Sequence, residues 1–390
     1  MKILLVMMAP VENLSSAVLR TLAVVKGLVD LNHDVTILCL ENASGSTYVN
    51  VEKYKFLKDV KIIRIPQSKL RDKIWTDPKK TTLKARIVNV LRKVYHSLFI
   101  LGSTENIAKN VKIELLEGEI EYEYVISSSD PKTAHIAVRQ LISQGLRYNR
   151  WVQYWGDPLA YDMTKNYIYP RCIVKMIERR LIGNADKVVY VSPFTLDLQK
   201  KSFKNLVDKM FFLPIPYIEK KESLQERNEK FVISYIGAYN SKVRDIMPLY
   251  EALVTMGDSI EAYIVGDTDL NLQETSFIHV LPRGDADEIE KKSDLIVCVL
   301  NKSGTQIPGK IYHSAATDKA ILIVLDGEKQ NEMRIYFEKY KRFYMCENEL
   351  GSISNAILEI SEKREKFKPS DEFAPSVVAS ALIEERSMHN

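Results

Sequence analysis

The stretch Gly304-Thr-Gln-Ile-Pro-Gly-Lys-Ile-Tyr-His-Ser-Ala-Ala-Thr-Asp-Lys-Ala-Ile-Leu-Ile-Val-Leu325 reads as loop, helix, turn and strand. Pro308 suits a first helical turn, where no intrahelical use exists for its missing N–H. Lys310 to Ala316 places Ile311 and Ala315 on one face, beside a Tyr312/Ala316 edge, at helical spacing. Ile321 to Leu325 is a continuous apolar run, as expected of a strand covered on both faces. A helix that starts beside a glycine loop points N–H groups and a positive dipole end forward, where phosphate is the usual guest. An ordinary surface loop on an αβ unit accounts for the same residues.

Working outward, the same rhythm fills the chain. Lys2 to Met8, a helix to Leu31 capped by Ser15 or Ser16, and Val35 to Leu40 form a βαβ unit with parallel strands. Strands follow at Val60–Ile65, Tyr124–Ser127, Trp151–Tyr154 and Phe211–Pro216, and Glu219 to Lys230 is a charged linker. A second series begins at Phe231 and continues through Glu261–Val265, Phe277–Leu281 and Leu295–Leu300. Alternating strands and helices over 390 residues predict an α/β chain of two Rossmann-like domains with parallel sheets.

Composition is that of a globular protein, with 46% apolar and 27% charged residues and a net charge of +4. Cys39, Cys172, Cys298 and Cys346 are far apart and read as reduced thiols of a cytosolic protein. The six histidines are scattered, so no metal site is expected. The start, Met1 to Met8, is too short for a signal core, and no run reaches the length of a membrane span. No nucleic-acid motif is present. Lys69 to Lys93 is rich in lysine and arginine. It continues into an apolar stripe of Ile87, Val88, Leu91, Val94, Tyr95 and Leu98. Such a face attracts anionic lipid, or is a solvated helix face.

The opening stretch resembles the late C-terminal segment of GT-B glycosyltransferases, above all the family 4 type of bacterial surface-polysaccharide enzymes. Pro308, Lys310, Ile311, Tyr312, Ala316, Thr317, Lys319, Ile321 and Leu322 fit that pattern. His313, Asp318 and Ala320 depart from it, and Thr305 and His313 stand where the family carries its E-x7-E carboxylates. Asn32 to Leu38, Ser127 to Pro131, Trp155 to Pro158, Glu178 to Pro193 and Phe231 to Arg244 match further family segments. In the family's loop after the fourth strand a histidine occupies the position of Ser129, and in the next loop an arginine occupies that of Gly156.

The resemblance implies two Rossmann-like domains facing a cleft, near residues 1–213 and 214–370, with 371–390 as a crossover helix returning to the first. It implies transfer of a sugar from a nucleotide-sugar donor to a saccharide or lipid-linked acceptor, retaining and metal-independent. The nucleotide-sugar is a substrate, so no cofactor is expected. The donor diphosphate would meet Gly237, either Lys242 or Arg244, and Lys310. Gly304, Thr305, Gln306 and His313 would line the same site, with Arg283 by the base. On the acceptor side, Ser129, Asp130 and Asp157 are the catalytic candidates. Asp130 is either an acceptor-site carboxylate or a helix cap, and Asp157 a cleft carboxylate or a loop cap. Glu178 is read as structural. Location is expected in the cytoplasm, peripheral at the inner face of the membrane. Two alternatives stay open: a non-catalytic subunit of a transferase complex, since functional groups of the family are replaced, and a nucleotide-sugar 2-epimerase of the same fold.

Overall fold

The computed structural model describes residues 1–13, 15–42, 54–67, 98, 100–162, 165, 167–221, 229–284 and 286–384. The basic segment Lys69 to Lys93 lies outside the described residues, as does most of the charged linker. The chain divides into two compact units, Met1–Pro214 with Pro375–Asn390, and Ile215–Ala374.

The first unit is built on β1 (Lys2–Met7), β2 (Asp34–Leu40), β3 (Lys61–Ile65), β4 (Glu121–Ser128), β5 (Arg147–Trp155), β6 (Lys187–Tyr190) and β7 (Met210–Phe212). They form one parallel sheet in the order β3-β2-β1-β4-β5-β6-β7. Helices α1 (Ser16–Asp30), α2 (Glu105–Lys109), α3 (Thr133–Ser143), α4 (Arg171–Ile182) and α5 (Pro193–Ser202) lie among the connections. Ser15 caps α1 by accepting the Val18 N–H at 3.3 Å. Ser192 does the same for α5 with Thr195 at 3.4 Å, and Pro193 fills the first helical position. The last strand is shorter than expected. Beyond Leu213 the chain runs Pro214-Ile215-Pro216, and proline has no N–H for a ladder.

The second unit carries β8 (Phe231–Ile236), β9 (Ile260–Val265), β10 (Ile278–Leu281), β11 (Leu295–Val299), β12 (Ala320–Leu325) and β13 (Tyr344–Glu347). Their order, β10-β9-β8-β11-β12-β13, repeats that of the first six strands of unit 1. Its helices are α6 (Met247–Met256), α7 (Asp287–Lys292), α8 (Lys310–Ser314), α9 (Gln330–Glu338) and α10 (Leu350–Lys363). The final helix, α11 (Pro375–Ile383), belongs to unit 1 and packs on α1. A β-carbon on Gly27 of α1 would stand 2.0 Å from the Pro375 carbonyl, so glycine permits that approach.

Every residue of β12 is buried, as its unbroken apolar run predicts. The helix before it is one turn long, not the Lys310–Ala316 helix expected. Thr317 closes it early, giving both its N–H (2.9 Å) and its hydroxyl (2.8 Å) to the Ser314 carbonyl.

Matching clamps register the two sheets. Asp186 donates its N–H to the Trp151 carbonyl at 3.0 Å and accepts the Trp151 N–H on its carboxylate at 2.7 Å. Asp294 treats Val232 the same way, at 2.8 and 2.9 Å. In both sheets strand order reverses beside the first strand, between β1 and β4 and between β8 and β11. Ligands of open parallel sheets bind outside the carboxyl ends of strands at such a point.

Candidate functional site

In unit 2 the switch point gathers most of the candidate donor residues. Gly237 follows β8, and the Lys310 side chain lies against it, its Cδ 3.6 Å from where a β-carbon would stand. Arg244 donates to the Ala238 carbonyl at 2.9 Å and to the Asn301 side-chain oxygen at 2.8 Å. Asn301 opens the loop after β11 and reaches the Gln306 carbonyl at 3.4 Å. Lys302 joins this loop to the post-β8 segment, through its N–H to the Val243 carbonyl (2.8 Å) and an ion pair with Asp245 (3.0 Å). These bonds tie the segment after β8 to the loop after β11, beside Gly237 and the Lys310 side chain that lies against it.

Lys310 keeps solvent contact, yet the protein around it is dense enough that burial lowers its ammonium to about 8. Cys298 and Glu290 act against this, while Lys221 and Arg244 add to it. Of the two cations left open by the sequence, Arg244 is the one beside Lys310. Lys242 is exposed, and its charge bears on Asp269. Arg283 is exposed and pairs with Asp267 at 3.7 Å. Gly304 adopts a left-handed φ of 89°, Thr305 is buried, and His313 is half-buried on α8. Three of the helix's early N–H groups are already bonded. Those of Ile311, Tyr312 and His313 go to the Pro308 and Gly309 carbonyls at 3.2 Å.

In unit 1, Ser129, Asp130 and Asp157 also come together at the carboxyl ends of the strands. Ser129 is buried, accepts the Gly156 N–H on its hydroxyl at 3.1 Å, and gives its carbonyl to the Arg20 guanidinium. Asp130 does not cap α3, whose N-cap is Lys132 with no side-chain bond; its carboxylate is paired with the Lys132 ammonium instead. Burial works to raise the Asp130 carboxyl, but Lys132 and Arg20 outweigh it and hold it below the usual range. Asp157 is pushed the other way, to about 6, by burial and by the charge of Asp130. No hydrogen bond ties its carboxylate among the described residues.

Three members of this cluster were missed in the sequence. Arg20 lies in α1 between apolar residues, and a charge on that buried face was the signal for it. A β-carbon on Gly156 would stand 2.2 Å from the Arg20 Nη1, so the glycine makes room for this guanidinium. Lys132 is buried and sits 5.8 Å over the Trp155 ring. His135 stacks on Trp155 at 4.6 Å and bonds the Ser127 hydroxyl through Nδ1 at 2.8 Å. Burial and Lys132 lower it to about 3, so it is a neutral ring. Among the described residues no cluster of three metal-ligating side chains occurs, and no helix is long and apolar enough to cross a membrane.

No family model matches the chain, and no curated protein does. Solved structures do, over almost the whole length. The fold is of the GT-B type. Anabaena HepE in complex with UDP and glucose aligns with a TM-score of 0.56 at 11% identity, covering 97% of this chain and 95% of its own. A glycosyltransferase from Rickettsia africae aligns at 0.54 and 14% identity, covering 98% and 92%. Sucrose-phosphate synthase from Thermosynechococcus elongatus aligns at 0.55 and 12% identity, covering 98% and 94%. In this GT-B-fold chain the two Rossmann-like units carry parallel sheets whose strand orders agree over six strands.

Proposed function

We propose that the chain is a glycosyltransferase that moves a sugar from a nucleoside-diphosphate sugar to a saccharide or lipid-linked hydroxyl in surface-polysaccharide synthesis. The observation that carries this reading is the grouping of Gly237, Arg244 and Lys310 at the switch point of the second sheet. A diphosphate leaving group develops negative charge, and two fixed cations beside a side-chain-free strand end stabilise it without a metal. The complex of the HepE neighbour with UDP and glucose supports a nucleotide-sugar donor. Retention of anomeric configuration follows the resemblance. The test is incubation of the purified chain with UDP-, GDP- and dTDP-sugars, reading nucleotide affinity and nucleoside diphosphate release with and without acceptor lipid extract.

Thr305 and His313, in place of carboxylates, favour a second reading as a non-catalytic subunit. Nucleotide binding without release of nucleoside diphosphate under any acceptor condition would support it. Conversion of a donor to its 2-epimer would support the epimerase reading.

We propose that the acceptor side meets an anionic membrane surface. The outer face of α4 exposes Ile173 and Met176 beside Arg179 and Arg180, and exposed Ile168 and Tyr169 precede it. Apolar side chains with arginines suit an interface with anionic headgroups. Sedimentation with anionic vesicles, reversed by salt, is the expected result; equal behaviour with neutral vesicles would remove the membrane from this reading.

A further inference from the structure

We propose that Glu178 and Ser129 are positioning residues, which hold the loop 156–160 at both ends so that the Asp157 carboxylate accepts the hydrogen bond of the acceptor hydroxyl and orients it. This rests on the glycosyl-transfer reading above.

Glu178 comes from α4 and is fully buried. Its two carboxylate oxygens accept the Leu159 N–H at 2.7 Å and the Ala160 N–H at 3.0 Å, and Gln199 donates to it at 3.1 Å. No lysine or arginine pairs with it among the described residues. Burying a carboxylate without a bonded cation is costly, and burial does raise its pKa against the pull of those two backbone bonds, the Lys132 charge and Gln199. An apolar residue would pack α4 against the sheet at lower cost. What the carboxylate adds is a two-point grip on one end of the loop. Ser129 grips the other end through the Gly156 N–H, and is itself held by Arg20.

Between these grips stands Asp157, partly exposed and without a hydrogen bond among the described residues. It follows β5, at the carboxyl edge of the sheet. The charged groups that act on it are Asp130, Lys132, Asp162 and Arg20. A carboxylate is an acceptor-only group, suited to a hydroxyl donor. Groups that orient substrate act only when held within a fraction of an ångström by their supports.

The experiment uses the full chain as Glu178→Gln, Glu178→Met, Ser129→Ala and Asp157→Asn. The amide introduced by Glu178→Gln keeps one oxygen and the volume of the carboxylate, and so loses at least one of the two backbone bonds. Glu178→Gln is expected to raise the acceptor KM about ten-fold, the scale of a small misplacement, with UDP affinity within two-fold of wild type. Glu178→Met should be worse at similar volume. Ser129→Ala, which frees the other end of the loop, should raise the acceptor KM in the same way. Asp157→Asn should raise the acceptor KM and leave Glu178→Gln without further effect. Equal losses in UDP affinity and acceptor use, or a lowered Tm with unchanged acceptor KM, would reduce Glu178 to a packing role. A second readout is independent of turnover: carboxyl-carbon NMR of Asp157. Its titration should move toward the ordinary aspartate range in Glu178→Gln, and an unmoved titration overturns the proposal. If the titration moves but no sugar is transferred by wild type, the transferase reading fails separately.

Discussion

Lys310 runs across the backbone of Gly237, with its Cδ 3.6 Å and its Cε 3.7 Å from the position a β-carbon on that glycine would take. Those are ordinary contact distances, so an alanine fits there without moving the lysine. Gly237→Ala is therefore expected to keep the wild-type Tm, within the ±0.5 kcal/mol typical of harmless substitutions. Its methyl would occupy the space through which a phosphate meets the strand end, so UDP affinity should fall at least ten-fold, or about 1.4 kcal/mol. Unchanged affinity by calorimetry would place the diphosphate elsewhere.

Lys310→Ala should weaken UDP binding by about 1.5–3 kcal/mol, the scale of a charge-assisted bond, with the fold intact. The ammonium titrates near 8 in the free protein. It is charged below that pH and neutral above it, so UDP affinity should decline as pH rises through 8. The decline should vanish in Lys310→Ala. A flat wild-type profile between pH 7 and 9 would separate the lysine from the nucleotide.

Asp157 carries a sign that can be checked by melting alone. Its carboxyl rises from 3.8 to about 6 on folding. A raised carboxyl favours the folded state only while protonated, so that contribution is complete below pH 3.8 and lost as pH climbs through 6. Asp157→Asn should thus be more stable than wild type at pH 8, by about 1–2 kcal/mol allowing for its partial exposure, and equal to it near pH 4. A lower Tm for the variant at pH 8 would show that the ionised carboxylate is stabilised by contacts other than those described.

The clamps at Asp186 and Asp294 should behave as a pair. Each carboxylate accepts one strand N–H, so alanine at either site should cost about 1–2 kcal/mol of stability in urea unfolding. Neither should change the UDP affinity of the folded protein. A loss of affinity in Asp294→Ala would link sheet register to the nucleotide site.

Much of the fold was legible because its signals are local. Runs such as Ile321 to Leu325 read as strands covered on both faces, and Ser15 and Ser192 announce helix starts by side-chain chemistry that acts over three residues. The repeated alternation of strand and helix then leaves few topologies, since parallel crossovers share one hand. The residues around Gly237 and Lys310 were also named from the chain, through their pattern and their place after strands. Only the tertiary structure shows that Arg244, and not Lys242, meets the loop after β11 through Asn301. It also cut α8 to one turn at Thr317. In unit 1 the burial of Arg20, Lys132 and Glu178 could not be read from their letters. Each is a charged residue whose partners lie 2 to 109 positions away, and electrostatic environment is a property of distance in space. The sequence determined where strands and helices alternate and offered Asp157 as a cleft carboxylate; the packed structure determined the order of the strands and what holds the Asp157 loop, because both depend on contacts between residues far apart in the chain.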